Sequence, residues 1–230
     1  KNPVPSLVPQ GRLLENLGRV IDSGIDLWGA FLNSLIVSAV VSLSVVFFST
    51  LAGYAFSKLR FRGRDGLLTF VIATMAVPAQ LGVVPLFIVM SRLGWTGELV
   101  AVIVPAMVSA FGVFWMTQYI RDALPYELIE AARVDGASEW QLYKSIIFPQ
   151  LTPIALSAVI IIGHMSLKSF DLIMSITDQR TYSTKVPAID MFNFMTDNDY
   201  SNAAAVGTIL LVLVAVAVIP YLIHDAKGRR

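Results

Sequence analysis

The chain has no cysteine. Disulfides and thiolate metal sites are therefore excluded, and cysteine usage assigns no redox compartment. Histidine is almost as scarce, with two among 230 residues. His164 sits alone among apolar residues, where a histidine is ordinarily packed or hydrogen-bonded. No second histidine or carboxylate stands at ligand spacing from it, so no metal is expected. Charge is thin as well: Asp, Glu, Lys and Arg make up 14% of the residues, against about a quarter in a soluble domain. A net charge of +1 excludes a strongly basic nucleic-acid binder. No Gly-x-Ser-x-Gly, His-Glu-x-x-His or Walker A pattern occurs, so the chain carries no recognisable means of hydrolysing ATP itself.

What replaces charge is hydrocarbon. Hydrophobic residues reach 56% and the mean hydropathy is +0.69. Crossing a bilayer takes about 20 apolar residues. Residues 31–56, 67–91, 99–120 and 200–223 are apolar runs of that order. A fifth run, 150–175, is interrupted by His164, Lys168 and Asp171. The expected fold is therefore all-α, a polytopic membrane protein with five transmembrane helices. The first 30 residues form an outer segment that is proline-rich at its start (Pro3, Pro5, Pro9) and has no signal-peptide pattern. Residues 31–224 form the membrane domain and 225–230 a short tail. Trp28, Trp95, Tyr182 and Tyr200 lie near the expected interfaces, where aromatic rings anchor. The missing initial methionine reads as a fragment or a trimmed chain.

Basic residues give the orientation. Lys58, Arg60, Arg62 and Arg64, then Arg121, Arg133 and Lys144, then Lys227, Arg229 and Arg230 fall on one side. Lys1, Arg12, Arg19, Arg92, Arg180 and Lys185 fall on the other, six against ten. The excess places the 57–66 loop, the 121–149 loop and the C-terminus in the cytoplasm. The outer loop 176–199 is charged, with Asp178, Arg180, Lys185, Asp190, Asp197 and Asp199. It reads either as a contact for an external binding protein or as a solvated loop.

The 121–149 loop is the one long polar stretch with strong helix signals. Pro125 suits the first position of a helix and Glu127 its first turn. Gly136 offers a left-handed end, and Ser138 with Gln141 reads as a capping box opening a second helix. Trp140, Tyr143 and Ile147 share one face of that helix, and Pro149 is expected to stop it. Asp135 breaks the local rule by sitting at the negative end of the first helix. A rule broken in an otherwise consistent segment points to function. A local Glu130–Arg133 pair is also within reach.

Glu130-Ala131-Ala132, three residues, Gly136, nine residues, Ile146, one residue, Phe148 and Pro149 closely resemble the EAA loop of ABC importer permeases. Phe148 departs from the usual Leu and keeps an apolar anchor. Asn33-Ser34, Ala52-Gly53-Tyr54-Ala55 with Phe61-x-Gly63, Pro78-x-Gln80 with Pro85-Leu86-Phe87, and Gln118 before Pro125-x-Glu127-Leu128 resemble the carbohydrate-uptake, maltose-type branch of that family. Its members usually have six spans, so the first is expected to be missing here.

The resemblance implies a coupling helix docked in a groove of a cytoplasmic ATPase, with Glu130, Ala131, Ala132, Asp135, Gly136 and Ser138 as coupling residues. It implies a second permease subunit in a heterodimer, two ATPase subunits that bind the ATP and Mg, and an extracytoplasmic substrate-binding protein. It implies no cofactor or enzymatic activity in this chain, and a place in the cytoplasmic (inner) membrane of a bacterium or archaeon. Transport of a sugar by alternating access would follow. An importer of an amino acid or polyamine, a channel and a membrane-embedded enzyme are the alternatives.

Asn33, Gln80, Ser109, Lys168 and Asp171 are the candidates along a substrate path. Gln80 lies between Pro78 and Pro85, which should break or kink their span. Its amide would meet either a sugar hydroxyl or a neighbouring helix. Lys168 and Asp171, costly in a bilayer, would contact substrate or form an ion pair near the outer surface. Where the family often has Trp-Asn, Ser169-Phe170-Asp171-Leu172-Ile173 with Thr177 resembles the partner-type subunit, which leaves open which half of the heterodimer this is.

Overall fold

The computed structural model describes residues 11–167, 171–176 and 184–228, and every regular element among them is a helix. Three stretches are long and apolar enough to cross a membrane: Leu27–Lys58, Leu99–Ala123 and Glu139–Gly163. A bent pair, Arg64–Thr74 with Ala79–Arg92, makes a fourth if it is one span. The expected run at 200–223 falls in a 29-residue helix, Tyr200–Gly228, apolar over Tyr200–Val216.

Helix α1 (Leu13–Asp22) precedes the centre of the fold, α2 (Leu27–Lys58). Asp26 caps α2 by accepting from the Gly29 N–H at 2.8 Å. At 1.5 Å per residue its 32 residues run roughly 48 Å, well past a hydrocarbon core of about 30 Å. The excess leaves a polar end. Along α2, Ser34, Ser38, Ser42 and Ser49 are buried, and these small side chains let neighbouring backbones approach closely. Helix α6 (Ala110–Ala123) comes so near that a Cβ on Gly53 would lie 2.9 Å from the Met116 carbonyl carbon. A Cβ on Gly112 would likewise lie 2.4 Å from Ser49 Oγ.

The 67–91 run breaks as its prolines suggest, but only one of them breaks it. Helix α3 (Arg64–Thr74) ends before Pro78, a 3₁₀ turn spans Ala79–Gly82, and α4 (Val83–Arg92) leaves at 88°. Pro85 sits in the first turn of α4, where no N–H is required, so its expected disruption does not occur. The third run divides into α5 (Leu99–Ala106) and α6. The two stretches expected on the outer side, 1–30 and 176–199, hold unforeseen order among their described residues. Besides α1, helix α11 (Pro187–Thr196) starts on a proline as helices favour, and Ala188 and Ile189 are buried. Helix α12 (Tyr200–Gly228) packs Ala205 and Val206 on Val20 of α1.

Pro149 corrects a second expectation. Helices α7 (Tyr126–Val134) and α8 (Glu139–Leu142) lead into a π-turn, Tyr143–Ile147, and α9 (Phe148–Leu167) runs straight through Pro149 and Pro153. Phe148 N–H reaches back five residues to the Tyr143 carbonyl. The wider turn relieves the clash that a proline ring makes with the carbonyl four residues back. A short helix α10 (Asp171–Ile176) follows.

Candidate functional site

The 121–149 loop folds as a helix, a glycine corner and a helix. Gly136 holds φ +81°, the left-handed conformation that its lack of a Cβ permits. The Ala137 N–H bonds back to the Ala132 carbonyl at 3.0 Å, which satisfies a carbonyl at the end of α7. Asp135 is the residue that caps this end. Ser138 Oγ accepts from the Gln141 N–H, and the Gln141 side chain accepts from the Ser138 N–H at 2.8 Å, a complete capping box. A cavity of about 380 Å³ opens beside the corner, lined by Asp135, Gly136, Gln141 and Ser145.

The candidate coupling residues are brought together and divide by exposure. Glu130, Ala131, Asp135, Gly136 and Ser138 are exposed, whereas Ala132 turns inward. Ala132 joins Ile129, Leu142, Tyr143, Ile147, Leu151 and Tyr54 in one buried cluster. Of the face expected from Trp140, Tyr143 and Ile147, the last two are buried and Trp140 is 57% exposed, its ring stacked on Tyr143. The expected Glu130–Arg133 pair does not form. Arg133 reaches across the glycine corner to Glu139 Oε1, from Nε at 3.0 Å and from Nη2 at 2.9 Å. Burial opposes the Arg133 charge, but the hydrogen bond and ion pair with Glu139 outweigh it and raise its pKa. Glu130 and Glu139 line one cavity of about 510 Å³ with Lys58, Arg60 and Arg133.

Sequence reasoning missed how this loop is held. Tyr54 Oη donates to Glu139 Oε2. Thr50 Oγ1 and Tyr143 Oη share a buried hydrogen bond of 2.7 Å. Lys58 Nζ donates to the Leu124 carbonyl at 2.5 Å and to Arg121 at 3.3 Å. Thr50, Tyr54 and Lys58 are spaced by four and share one face of α2. That spacing was readable as a polar stripe on an apolar helix; its partners were not.

The substrate-path candidates are scattered. Asn33 Nδ2 donates to the Lys185 carbonyl at 3.0 Å. Gln80 is exposed on the 3₁₀ turn of the bent pair. Ser109 caps α6, its Oγ accepting from the Gly112 N–H at 3.1 Å. Asp171 begins α10, but Lys168, and with it the expected Lys168–Asp171 pair, lies outside the described residues. Near Asn33, Lys185 Nζ pairs with the buried Asp190 Oδ1 at 2.6 Å, while Asp190 Oδ2 has no hydrogen-bond partner among the described residues. Burial pushes the Asp190 carboxyl above its usual range, against the pull of Lys185.

A bundle of apolar helices with one broken span and a polar two-helix loop tied to the longest helix defines a polytopic membrane protein. The sequence pattern of the family described as the binding-protein-dependent transport system inner membrane component matches residues 45–230, and the chain belongs to that family. It is 32% identical over 162 residues to the arabinooligosaccharides transport system permease protein AraQ of Halalkalibacterium halodurans, covering 70% of this chain and 58% of that one. It is 31% identical over 146 residues to the lactose transport system permease protein LacG of Rhizobium radiobacter, covering 64% and 53%. The chain thus spans between half and two thirds of the length of these relatives. A crystal structure of a bacterial ABC transporter involved in the import of the acidic polysaccharide alginate shares the fold. Its TM-score is 0.73 at 21% identity, over 92% of this chain and 78% of that one.

Proposed function

We propose that this chain is the membrane permease subunit of an ATP-driven importer, and that its substrate is a sugar delivered by an external binding protein. The observation that carries the reading is the Glu130 loop: two short helices at a glycine corner, with Glu130 exposed and the opposite side locked onto α2. A loop built this way offers a firm face to another protein. On this reading the Glu130 end of the bundle is cytoplasmic, and α7 docks in a groove of an ATPase subunit. A second permease subunit completes the pathway, and two ATPase subunits bind the ATP and Mg that drive alternating access. The names of the arabinooligosaccharide and lactose relatives support a sugar as cargo.

Glu130 has no hydrogen bond or ion pair among the described residues, which leaves its carboxylate for a cationic side chain of the ATPase. Truncating one partner of a desolvated interfacial pair costs on the order of 2–5 kcal/mol. Glu130→Ala should therefore strip the ATPase from the membrane subunit while leaving that subunit inserted. The test is copurification of ATPase with the variant at matched membrane levels. Full retention of ATPase together with full transport would overturn the docking role.

A further inference from the structure

We infer that Glu139 is a positioning residue that passes movement of the Glu130 helix into the membrane through Tyr54. The inference rests on the docking reading above and deepens it by naming the path beyond the docking face. Arg133 lies one turn after Glu130 on α7 and holds Glu139 by two nitrogen–oxygen contacts of 2.9–3.0 Å. Glu139 is the first residue of α8. Its other carboxylate oxygen takes the hydroxyl hydrogen of Tyr54. Both oxygens of one carboxylate are therefore engaged, one by the docking helix and one by α2. Hydrogen bonds to an ionised group are about twice as strong as neutral ones.

The two flanking ties on the same face of α2 serve different ends. Thr50 holds Tyr143 at the π-turn, and Lys58 holds carbonyls at the close of α6. Neither touches α7. Among the described residues, the hydrogen-bonded route from α7 through α8 to α2 thus runs Arg133, Glu139, Tyr54, with Arg133 also acting on Tyr54 directly. The buried contacts of Ile129 and Ala132 keep α7 seated but are non-directional. The carboxylate fixes the direction in which a push on α7 becomes a push on α2. Because α2 packs against both α6 and α9, as the Gly53–Met116 approach and the 2.8 Å Ser38–Gly163 hydrogen bond show, α2 is the element through which that push reaches the bundle.

The absence of native cysteine makes the test direct. Spin labels go on cysteines placed at Leu43 of α2 and Leu211 of α12, which are 61% and 69% exposed. The assembled transporter is then compared without nucleotide and trapped with ADP and vanadate, so no transported solute is needed. In the parent, the distance between the labels should shift on trapping. Tyr54→Phe keeps the ring and loses only the hydroxyl; Glu139→Gln keeps an acceptor and loses the charge. Each should lower the equilibrium constant for the shifted state by roughly ten- to a hundredfold, what a hydrogen bond to a charged group is worth, with ATPase copurification unchanged. The double variant should fall no further than the worse single one, because both changes cut the same link. An undiminished shift in both singles, additive losses in the double, or loss of ATPase in proportion to loss of the shift would each overturn the inference. A parent chain that captures no ATPase would instead overturn the docking reading on which it rests.

Discussion

The two ends of α2 are both fastened by polar groups, and they are fastened in opposite ways. At the Lys58 end, Thr50, Tyr54 and Lys58 reach three different elements, and each finds a partner. At the Asn33 end, one side chain grips the carbonyl of Lys185, whose own side chain is spent on Asp190 five residues on. The first arrangement spreads one helix's grip over a whole loop. The second closes a strap on itself and leaves a buried carboxylate oxygen without a hydrogen-bond partner among the described residues. Burial without satisfaction costs stability, whereas a distributed set of satisfied ties transmits force. The Lys58 end is tied to a whole loop, and the Asn33 end to one short strap.

Three changes should separate the ends. The largest effect is expected from Gly136→Val at the Lys58 end. A β-branched residue is strongly disfavoured at φ +81°, so the corner should open and uptake should be lost while the protein still inserts. Unchanged uptake and unchanged ATPase stimulation in that variant would show that the corner is dispensable. Next comes Asp190→Ala at the Asn33 end, which removes the carboxylate from a mostly buried ion pair. Breaking a buried pair costs about 3–5 kcal/mol, somewhat less here because Lys185 keeps 12% exposure. The melting temperature of the detergent-solubilised protein should fall steeply while ATPase copurification persists, and a normal melting temperature would refute the clasp.

The smallest effect concerns pH. The Asp190 carboxyl titrates above its ordinary value of 3.8, so the folded state holds its proton more tightly than the unfolded one. Its contribution is full below the ordinary value and is lost as pH rises through the raised one. Melting temperature should therefore decline across that window in the parent and lose that slope in Asp190→Asn. An identical slope in both would move the titration elsewhere.

Local chemistry was legible where local rules decide. The glycine corner, the capping box and the break at Pro78 each depend on neighbours within about five residues, and each formed as its residues indicate. The family membership was legible in the spacing from Glu130 to Pro149 for the same reason. What the sequence hid was partner choice. Arg133 had Glu130 three residues back and took Glu139 six residues on, because the left-handed corner folds α8 back beside α7. Tyr54 and Glu139 are 85 residues apart, a separation no periodicity rule spans. Pro149 misled because the widened turn just before it relieves the clash that would otherwise stop the helix there. The helix in the 176–199 loop announced itself by Pro187 at its first position, a signal the reading of that loop did not use.

The π-turn also sets which way α9 faces. Tyr143, Ile147, Leu151 and Ala155 are all buried, spaced by four. In a uniform helix of 3.6 residues per turn each step of four overshoots by about 40°, so that row would wind roughly 120° around the axis. The five-residue turn between Tyr143 and Phe148 takes back part of the overshoot. The row accordingly stays on the bundle side, and Leu156 and Ile161, 52% and 60% exposed, are left to face outward. A helical wheel drawn without interruption from Ser138 would assign part of this helix to lipid from the wrong side. Probes of the outward side of α9 therefore belong at positions counted from Phe148 onward.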